Sequence, residues 1–238
     1  MNRILIFIPA ATSFPLFQYS NIPLFLLPPF TFNFFLFTFN NMCGRDYLLS
    51  EPDEVAKFLN AGKIPARNLV KDRLQKVNIP PTSEILTLFK KDNDYVLETT
   101  QWGIKFSDRA PLIINSKIET IKEKDYWFNL FNHNRALVPM TGFYEWPVIK
   151  GRKVMQQVFL KKTELFFAAA LWTKLKDKIC TSIITVPSNE FMRDIHHRMP
   201  AVLLRSQIKE FFENPPEKNL DLCIPYPGND MAMEKAKV

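Results

Sequence analysis

Residues 135–186 read RALVPMTGFYEWPVIKGRKVMQQVFLKKTELFFAAALWTKLKDKICTSIITV and contain five apolar runs at close intervals. The runs are RALVPM at 135–140, GFYEWPVI at 142–149, KVMQQVFL at 153–160, ELFFAAALW at 164–172 and KICTSIITV at 178–186. Each run has the composition of a β-strand, and polar or glycine-containing turns separate them. Such spacing is typical of antiparallel strands rather than of βαβ units. The stretch therefore predicts a mostly antiparallel, barrel-like β-sheet.

The flanking sequence adds further strands and several short helices. EILTLF (84–89) and YVLETTQW (95–102) form a predicted hairpin around the polar cluster KKDND, and PLIINSKIET (111–120) is another extended run. Helices are predicted for SEPDEVAKFLNA (50–61) with Ser50 as its cap, KEKDYWFNLF (122–131), SNEFMRDI (188–195) with Ser188 as its cap, and RSQIKEFFEN (205–214). The expected fold class is α+β, with a barrel-like, mostly antiparallel core and short flanking helices.

Bulk composition bounds the possible functions. A chain of 238 residues can bury a core without disulfides, and its three cysteines (Cys43, Cys180 and Cys223) lie far apart with no paired spacing. With only three histidines, no metal site and no cofactor are expected. The odd cysteine number favours a reducing compartment. A net charge of +7 suits a phosphate-rich partner without requiring one.

The first forty-one residues differ in composition from the remainder. Residues 1–41 contain ten phenylalanines, five prolines and a single charged residue, Arg3. Proline interrupts every window long enough for a transmembrane helix. We expect a start-site artefact or a removed leader here, with a signal, a membrane anchor or an ordered extension as alternatives. The functional domain is expected at 42–238, without membrane association.

The stretch MCGR at 42–45 follows this break in composition directly. If Met42 is the initiator and is removed, Cys43 becomes the amino terminus and carries an α-amine and a thiol on adjacent carbons. Their reference pKa values are about 7.7–8.0 and about 8.5, so both are partly reactive near neutrality. A 1,2-aminothiol condenses with an aldehyde and closes to a thiazolidine. The alternative is an ordinary internal, buried cysteine.

Three further segments carry candidate acid–base or binding groups. In TGFYEWP (141–147), strand alternation places Glu145 on the face of Phe143, in surroundings that favour a protonated carboxyl group. In IHHRMP (195–200), alternation places His196 beside Arg198. In the INSKIET segment, Asn115, Lys117 and Glu119 share one face of an extended run. The alternatives are an exposed strand glutamate, a solvated histidine pair and a polar strand face.

Together these motifs resemble the SOS response-associated peptidase (SRAP) family. The resemblance runs from Met42 to near the C-terminus. It rests on MCGR, NIPPT (78–82), the Trp102–Gly103 pair, NSKIET, LVPMTGFYEW, FFAAALW and IHHRMPAVL. It implies a SRAP-like fold and a protein that senses abasic sites in single-stranded DNA. It also implies a covalent thiazolidine DNA–protein crosslink that shields the lesion during the DNA damage response.

The resemblance implies four catalytic residues. Cys43 would be the nucleophile through its amine and thiol, and Asn115 would position the terminal cysteine and the lesion. Glu145 would assist Schiff-base formation and opening of the sugar ring. His196 would move protons during ring opening and crosslink reversal.

It also implies DNA-binding residues: Arg45, Lys117 and Arg198 at the backbone and Asn78 lining the same cleft. Two departures stand out. Many members have arginine at the position of Lys117, and lysine lacks the planar fork that grips a phosphate directionally. The segment after Trp102–Gly103, IKFSDRAP, lacks a further tryptophan expected to stack on a base.

Two other functions remain open at this point. One is a cysteine-type peptidase, acting only on its own leader or more widely, that uses Cys43 with His196 and Glu145. The other is a non-catalytic single-stranded DNA-binding module. The enzyme class expected from the family is peptidase or hydrolase, with lyase-like Schiff-base chemistry. A monomer in the cytoplasm, at the nucleoid when engaged on DNA, completes the expectation.

Overall fold

The computed structural model describes residues 44–236. The predictions for residues 1–43, including the aminothiol of Cys43, lie outside the described residues. The strands are β1 (Asp46–Tyr47), β2 (Ala66–Asn68), β3 (Glu84–Lys91), β4 (Asp94–Trp102), β5 (Asn115–Lys117), β6 (Arg135–Met140), β7 (Gly142–Glu145), β8 (Val148–Ile149), β9 (Arg152–Lys153), β10 (Gln156–Leu160), β11 (Phe166–Leu175), β12 (Lys178–Pro187), β13 (Arg198–Pro200), β14 (Val202–Leu203) and β15 (Met231–Lys235). The helices are α1 (Pro52–Ala61), α2 (Ile118–Glu123), α3 (Asp125–His133), α4 (Ile208–Glu213) and α5 (Pro216–Leu220), with 3-10 turns at Arg205–Gln207 and Gly228–Asp230.

Five strands close into a barrel. Going round it, β3 pairs with β4, β4 with β12, β12 with β11, β11 with β6, and β6 with β3. Of these five pairings, the one between β4 and β12 is parallel and the others are antiparallel. The strands β2, β5, β13 and β14 extend this sheet. The predicted mostly antiparallel, barrel-like core with short helices is confirmed.

A second antiparallel sheet, in the order β1-β7-β10-β15, packs into the same core. Phe143 on β7 and Val158 on β10 belong to one hydrophobic cluster with barrel residues such as Leu88. Gly142, at the start of β7, has no room for a side chain. A Cβ atom there would overlap the Tyr47 hydroxyl and the Val158 carbonyl oxygen, so glycine is what allows β1 and β10 to approach β7 from both sides.

The position of β11 in the centre of the sheet explains why its sequence is an unbroken apolar run. Residues 166–171, FFAAAL, are all fully buried. A strand that is covered on both faces has no solvent side to alternate with, so it reads as a continuous apolar run.

Two helix predictions need correction. Helix α1 begins at Pro52 with Glu51 as its N-cap, not Ser50, and the Glu54 carboxylate accepts the Glu51 N–H at 2.7 Å. SNEFMRDI is not a helix, because residues 190–195 form a series of turns. Buried Asn189, rather than Ser188, organises them by accepting the Met192 N–H at 2.8 Å while its amide donates to the Tyr226 carbonyl.

The extended run predicted for residues 111–120 is also only partly right. The strand β5 covers Asn115–Lys117, and α2 begins at Ile118 because Ile118 and Ile121 turn into the core. Glu119 therefore lies on a helix and not on the extended face of Asn115 and Lys117. No helix within residues 44–236 is long and apolar enough to cross a membrane.

A buried hydroxyl pair provides a test of the barrel. Thr87 on β3 and Thr100 on β4 share a hydrogen bond of 2.8 Å inside the protein. We expect Thr87→Val to lower the free energy of unfolding by about 1–3 kcal/mol, because it leaves the Thr100 hydroxyl unsatisfied. Thr87→Val with Thr100→Val should recover most of that loss. Urea denaturation measures the free energy of unfolding of both variants. A double variant that is as unstable as Thr87→Val, or less stable, would contradict the pairing.

Candidate functional site

The pairing of β1 with β7 sets the position of the segment that follows Cys43. Asp46 lies opposite Phe143 and Tyr47 opposite Gly142, and the Tyr144 N–H donates to the Arg45 carbonyl at 3.0 Å. Continuing this antiparallel register places buried Gly44 beside Glu145. The residue that follows Cys43 in the sequence therefore adjoins the acid of the GFYEW motif.

Arg45 and Asn78, which the family resemblance implies for one DNA-binding cleft, contact each other; their role on DNA stays a prediction. The Arg45 Nη1 donates to the Asn78 Oδ1 at 2.8 Å. Asn78 has a φ of 53°, a left-handed conformation that asparagine tolerates better than most residues. The NIPPT segment is held in place by two backbone hydrogen bonds between Asp46 and Ile79, at 2.9 and 3.2 Å. Arg45 remains partly exposed, so its remaining donors face away from the core.

Glu145 is buried, with an exposed fraction of 4 %. It lies opposite buried Gln156 on β10 and, by strand alternation, shares a face with Phe143. Tyr144 occupies the other face and packs on Tyr47 with ring centroids 5.0 Å apart. The alternative of an exposed strand glutamate is wrong, and the desolvated surroundings predicted for this carboxyl group are present.

Arg198 is buried and is held by protein groups. Its Nη1 donates to Glu119 Oε1 at 2.8 Å, and its Nη2 donates to the Thr185 carbonyl. The hydrogen bond from Arg198 and its positive charge hold the pKa of Glu119 below its ordinary value, against a smaller opposing effect of burial. The DNA-backbone role of Arg198 stays a prediction, and the structure places its guanidinium between β13, β12 and α2.

The ring of His196 is fixed by the backbone of Arg198. The Arg198 N–H donates to His196 Nδ1 at 3.0 Å, while the Arg198 carbonyl oxygen lies 3.2 Å from the same nitrogen, so the shorter contact favours a neutral ring with its proton on Nε2. Nε2 is buried and has no hydrogen-bond partner within residues 44–236. Burial lowers the pKa of His196 below its ordinary value, and the charges of His197 and Arg198 add to this, while the contact of Nδ1 with the Arg198 carbonyl oxygen opposes it. The neutral ring therefore presents one unused N–H donor. His196 precedes β13 and does not lie on a strand, so the alternation expected for IHHRMP does not apply to it.

Asn115 and Lys117 lie on β5, which runs parallel to β12. Asn115 is half-buried opposite Ile183, and Lys117 is exposed opposite Thr185, the residue whose carbonyl accepts from Arg198. The Trp102 indole N–H donates to the Ile114 carbonyl at 3.0 Å and ties the Trp102–Gly103 pair to this strand. Lys117 thus joins the group formed by Glu119, His196 and Arg198.

The structure gathers the described candidates into two sets. The first contains Arg45, Asn78 and Glu145 along β1 and β7; the second contains Asn115, Lys117, His196 and Arg198 around the end of β12. Within residues 44–236, no group of three or more His, Cys, Asp or Glu side chains could hold a metal ion.

Sequence reasoning missed Asp46. This carboxyl group is 2 % exposed, its Oδ1 has no hydrogen-bond partner among residues 44–236, and burial raises its pKa well above the ordinary value. It shares the face of Phe143 and lies diagonally across from Glu145, so two buried carboxyl groups stand near each other. The sequence did not indicate that Asp46 is buried, because a strand of two residues is too short to show alternation of apolar and polar side chains.

The fold and the site define a class: an α+β barrel protein with a buried acid and an amide beside its amino-proximal segment, and with a histidine, a further amide and cations around the end of β12. An X-ray structure of a protein from Bacteroides thetaiotaomicron shares the fold, with a TM-score of 0.70, 20% identity, and coverage of 82% of this chain and 92% of that one.

The model of the SOS response associated peptidase (SRAP) family matches residues 42–238, and the chain belongs to this family. Two relatives from Bacillus subtilis (strain 168) are named abasic site processing proteins. YobE is 30% identical over 206 residues, covering 80% of this chain and 92% of its own length. YoqW is 31% identical over 206 residues, covering 80% of this chain and 90% of its own.

The protonation state of His196 is open to direct measurement. We expect its pKa to lie below 6.5, with the Nε2–H tautomer present at pH 7. Nitrogen-15 NMR of the imidazoles, assigned with a His197→Asn variant, reports both. Because the folded-state pKa is lowered, protonating His196 costs stability, which should fall as pH drops below the unfolded value of about 6.5 and level off below the folded one. A charged ring at pH 7 would contradict the assigned hydrogen bond.

Proposed function

We propose that this protein processes abasic sites in single-stranded DNA by forming a covalent thiazolidine crosslink through an amino-terminal Cys43. Family membership and the names of its relatives support abasic-site processing. The break in composition before Met42 and the start of the family match at residue 42 support removal of Met42. The monomeric state and the cytoplasmic, DNA-associated location stay predictions.

The crosslink needs three bond changes and releases one water. The Cys43 amine adds to the C1 aldehyde of the ring-opened deoxyribose to give a carbinolamine. Loss of its hydroxyl group as water leaves a Schiff base. The thiolate then adds to the imine carbon, the electron pair of the C=N bond moves to nitrogen, and nitrogen takes a proton. Aldehyde plus aminothiol thus becomes thiazolidine plus water, with no redox change.

The observation that carries the proposal is the register of β1 on β7. Continued by two residues, this register brings Gly44 beside buried Glu145, so we expect the amine of a terminal Cys43 to lie near that carboxyl group. Glu145 can give a proton to the sugar oxygen during ring opening and to the departing hydroxyl of the carbinolamine. Its burial keeps bulk water from competing for these transfers.

His196 and the second set serve the sugar and its phosphates. The buried Nε2–H is a donor aimed by a fixed ring, which suits it to bind or protonate a sugar oxygen. Asn115 offers an amide for positioning. Exposed Lys117 and partly exposed Arg45 provide positive charge for the backbone. Arg198 belongs to this set but is hydrogen-bonded to Glu119, so its effect on DNA is best tested through the position of His196.

A crosslinking assay separates the covalent steps. We expect the Met42-start protein to give a denaturation-resistant band with single-stranded DNA that carries an abasic site. Cys43→Ser keeps the amine and loses the thiol, so it should give a band only after borohydride reduction of the Schiff base. Cys180→Ala and Cys223→Ala are matched controls that keep the band, because both thiols are buried and burial raises their pKa, that of Cys223 to about 12.

The contribution of Glu145 is measured in the same assay. Glu145→Gln should slow crosslink formation by about 100-fold or more, the range lost with a general acid–base group, without loss of the folded state. A wild-type protein that gives no band, or a full band with Cys43→Ala, would contradict the proposal. Peptide cleavage that depends on Cys43, without a DNA crosslink, would favour a peptidase instead.

A further inference from the structure

A two-stranded ribbon, formed by β8 and β9, extends from β7, the strand that carries Glu145. It comprises residues 148–153, with Val148 opposite Lys153 and Ile149 opposite Arg152. The Val154 N–H donates to the Pro147 carbonyl at 3.1 Å and closes its base. Lys150 and Gly151 form the turn with φ values of 50° and 75°, as in the tight turns whose twist matches a hairpin. We call this segment the basic ribbon.

The basic ribbon stands clear of the other residues that the structure describes. A Cβ built on Gly151 would meet no atom of residues 44–236 within 4 Å. Every residue from 148 to 153 is exposed, including the apolar Val148 at 67 % and Ile149 at 40 %. An exposed apolar side chain on each face of a free ribbon is a surface that a partner can cover.

The charge of the basic ribbon is of one sign. Lys150, Arg152 and Lys153 are cations, and no acidic residue occurs between Glu145 and Glu164. Within residues 44–236, none of the three cations forms an ion pair with a carboxylate. Each strand pair offers one apolar and one cationic side chain on the same side, Val148 with Lys153 and Ile149 with Arg152. This combination suits a polyanion that also has apolar groups, such as the sugars and bases between phosphates.

The position of the basic ribbon, next to Glu145, indicates which polyanion it would bind. Glu145 and Gln156 form the last pair of β7 with β10, and the ribbon continues from these two strands. The turn at Lys150 lies five residues beyond Glu145, a reach of up to about 16 Å at about 3.3 Å per residue. Stacked nucleotides advance about 3.4 Å each, so this length spans several phosphates on one side of the reaction site.

We propose that the basic ribbon binds the phosphodiester backbone of the DNA strand on one side of the lesion. This rests on the proposed function for the identity of the strand. Lys150, Arg152 and Lys153 each neutralise a phosphate, while Val148 and Ile149 pack against sugars or unstacked bases. The ribbon holds the strand and takes no part in the bond changes at Cys43.

The salt dependence of binding counts these contacts. The probe is a single-stranded oligonucleotide with one tetrahydrofuran abasic analogue, which has no aldehyde and so reports non-covalent binding alone. Lys150→Ala, Arg152→Ala and Lys153→Ala together should lower the slope of log affinity against log salt by about 2, because each phosphate contact on a single strand contributes about 0.7. Between 50 and 200 mM salt, the wild type should then lose about 18-fold more affinity than the variant.

A second hairpin provides the matched control. Lys174, Lys176 and Lys178 are exposed around the turn between β11 and β12. Replacing these three with alanine makes the same change in net charge, yet the slope should remain that of the wild type. An equal fall in both triple variants would show a general charge effect and overturn the proposal, as would an unchanged slope in the ribbon variant.

Two further readouts keep the outcomes distinct. Urea denaturation shows whether the triple ribbon variant is folded. If it is not, the single variant Lys153→Gln should lower the slope of log affinity against log salt by about 0.7, and an unchanged slope would contradict binding by the ribbon. On DNA with a true abasic site, the ribbon variant at saturating DNA should crosslink at the wild-type rate. Loss of crosslinking in the wild type itself would sink the proposed function while leaving the salt measurement able to test the ribbon.

Discussion

The pairing of a two-residue strand, β1, with β7 is the constraint on which the site depends. Tyr47 accepts the Thr141 N–H at 2.9 Å, Arg45 accepts the Tyr144 N–H at 3.0 Å, and Asp46 exchanges two hydrogen bonds with Ile79. Gly142 lets Tyr47 close over β7, and the Tyr47 ring packs on Tyr144. Because side chains alternate along a strand, a slip of one residue would turn this face of β1 away from Glu145. The register therefore places the amino-proximal segment against a buried acid.

Most of the fold could be predicted from local patterns. The apolar runs of residues 135–186 predicted strands of the barrel and of the second sheet. The prediction works because these strands pack into one core and bury the apolar residues of which the runs consist. The helix starts were harder, because the choice between Ser50 and Glu51, or between Ser188 and Asn189, depends on which side chain reaches a free N–H. Glu119 was misplaced for a related reason. The core contacts of Ile118 and Ile121 decide where β5 ends, and a sequence window does not show those contacts.

The site was less predictable than the fold. Glu145 and His196 could be named from their motifs, but burial decides what they do, and burial is a property of the assembled sheets. Arg198 shows the difference most clearly: the family resemblance implied a cation at the DNA backbone, while the structure gives it a carboxylate and a carbonyl as partners. Its backbone N–H contacts His196 Nδ1 at 3.0 Å, which favours the Nε2–H tautomer. Asp46 shows the converse, since a charged letter in the sequence became a buried carboxyl group whose pKa is raised by desolvation.

The two sets have different places in the fold. One holds the segment that begins at Gly44 beside a buried acid, and the other holds His196 near Arg198 and the polar residues of β5. In the proposed chemistry, the first set serves the amine of Cys43 and the second serves the sugar. The distance from the Cys43 amine to the Glu145 carboxyl group tests this arrangement most directly. A crystal structure of the protein that starts at Cys43 should show the two within about 2.6–3.2 Å, or bridged by one water. A Cys43 amine directed away from Glu145, beyond the reach of a bridging water, would contradict the proposed chemistry.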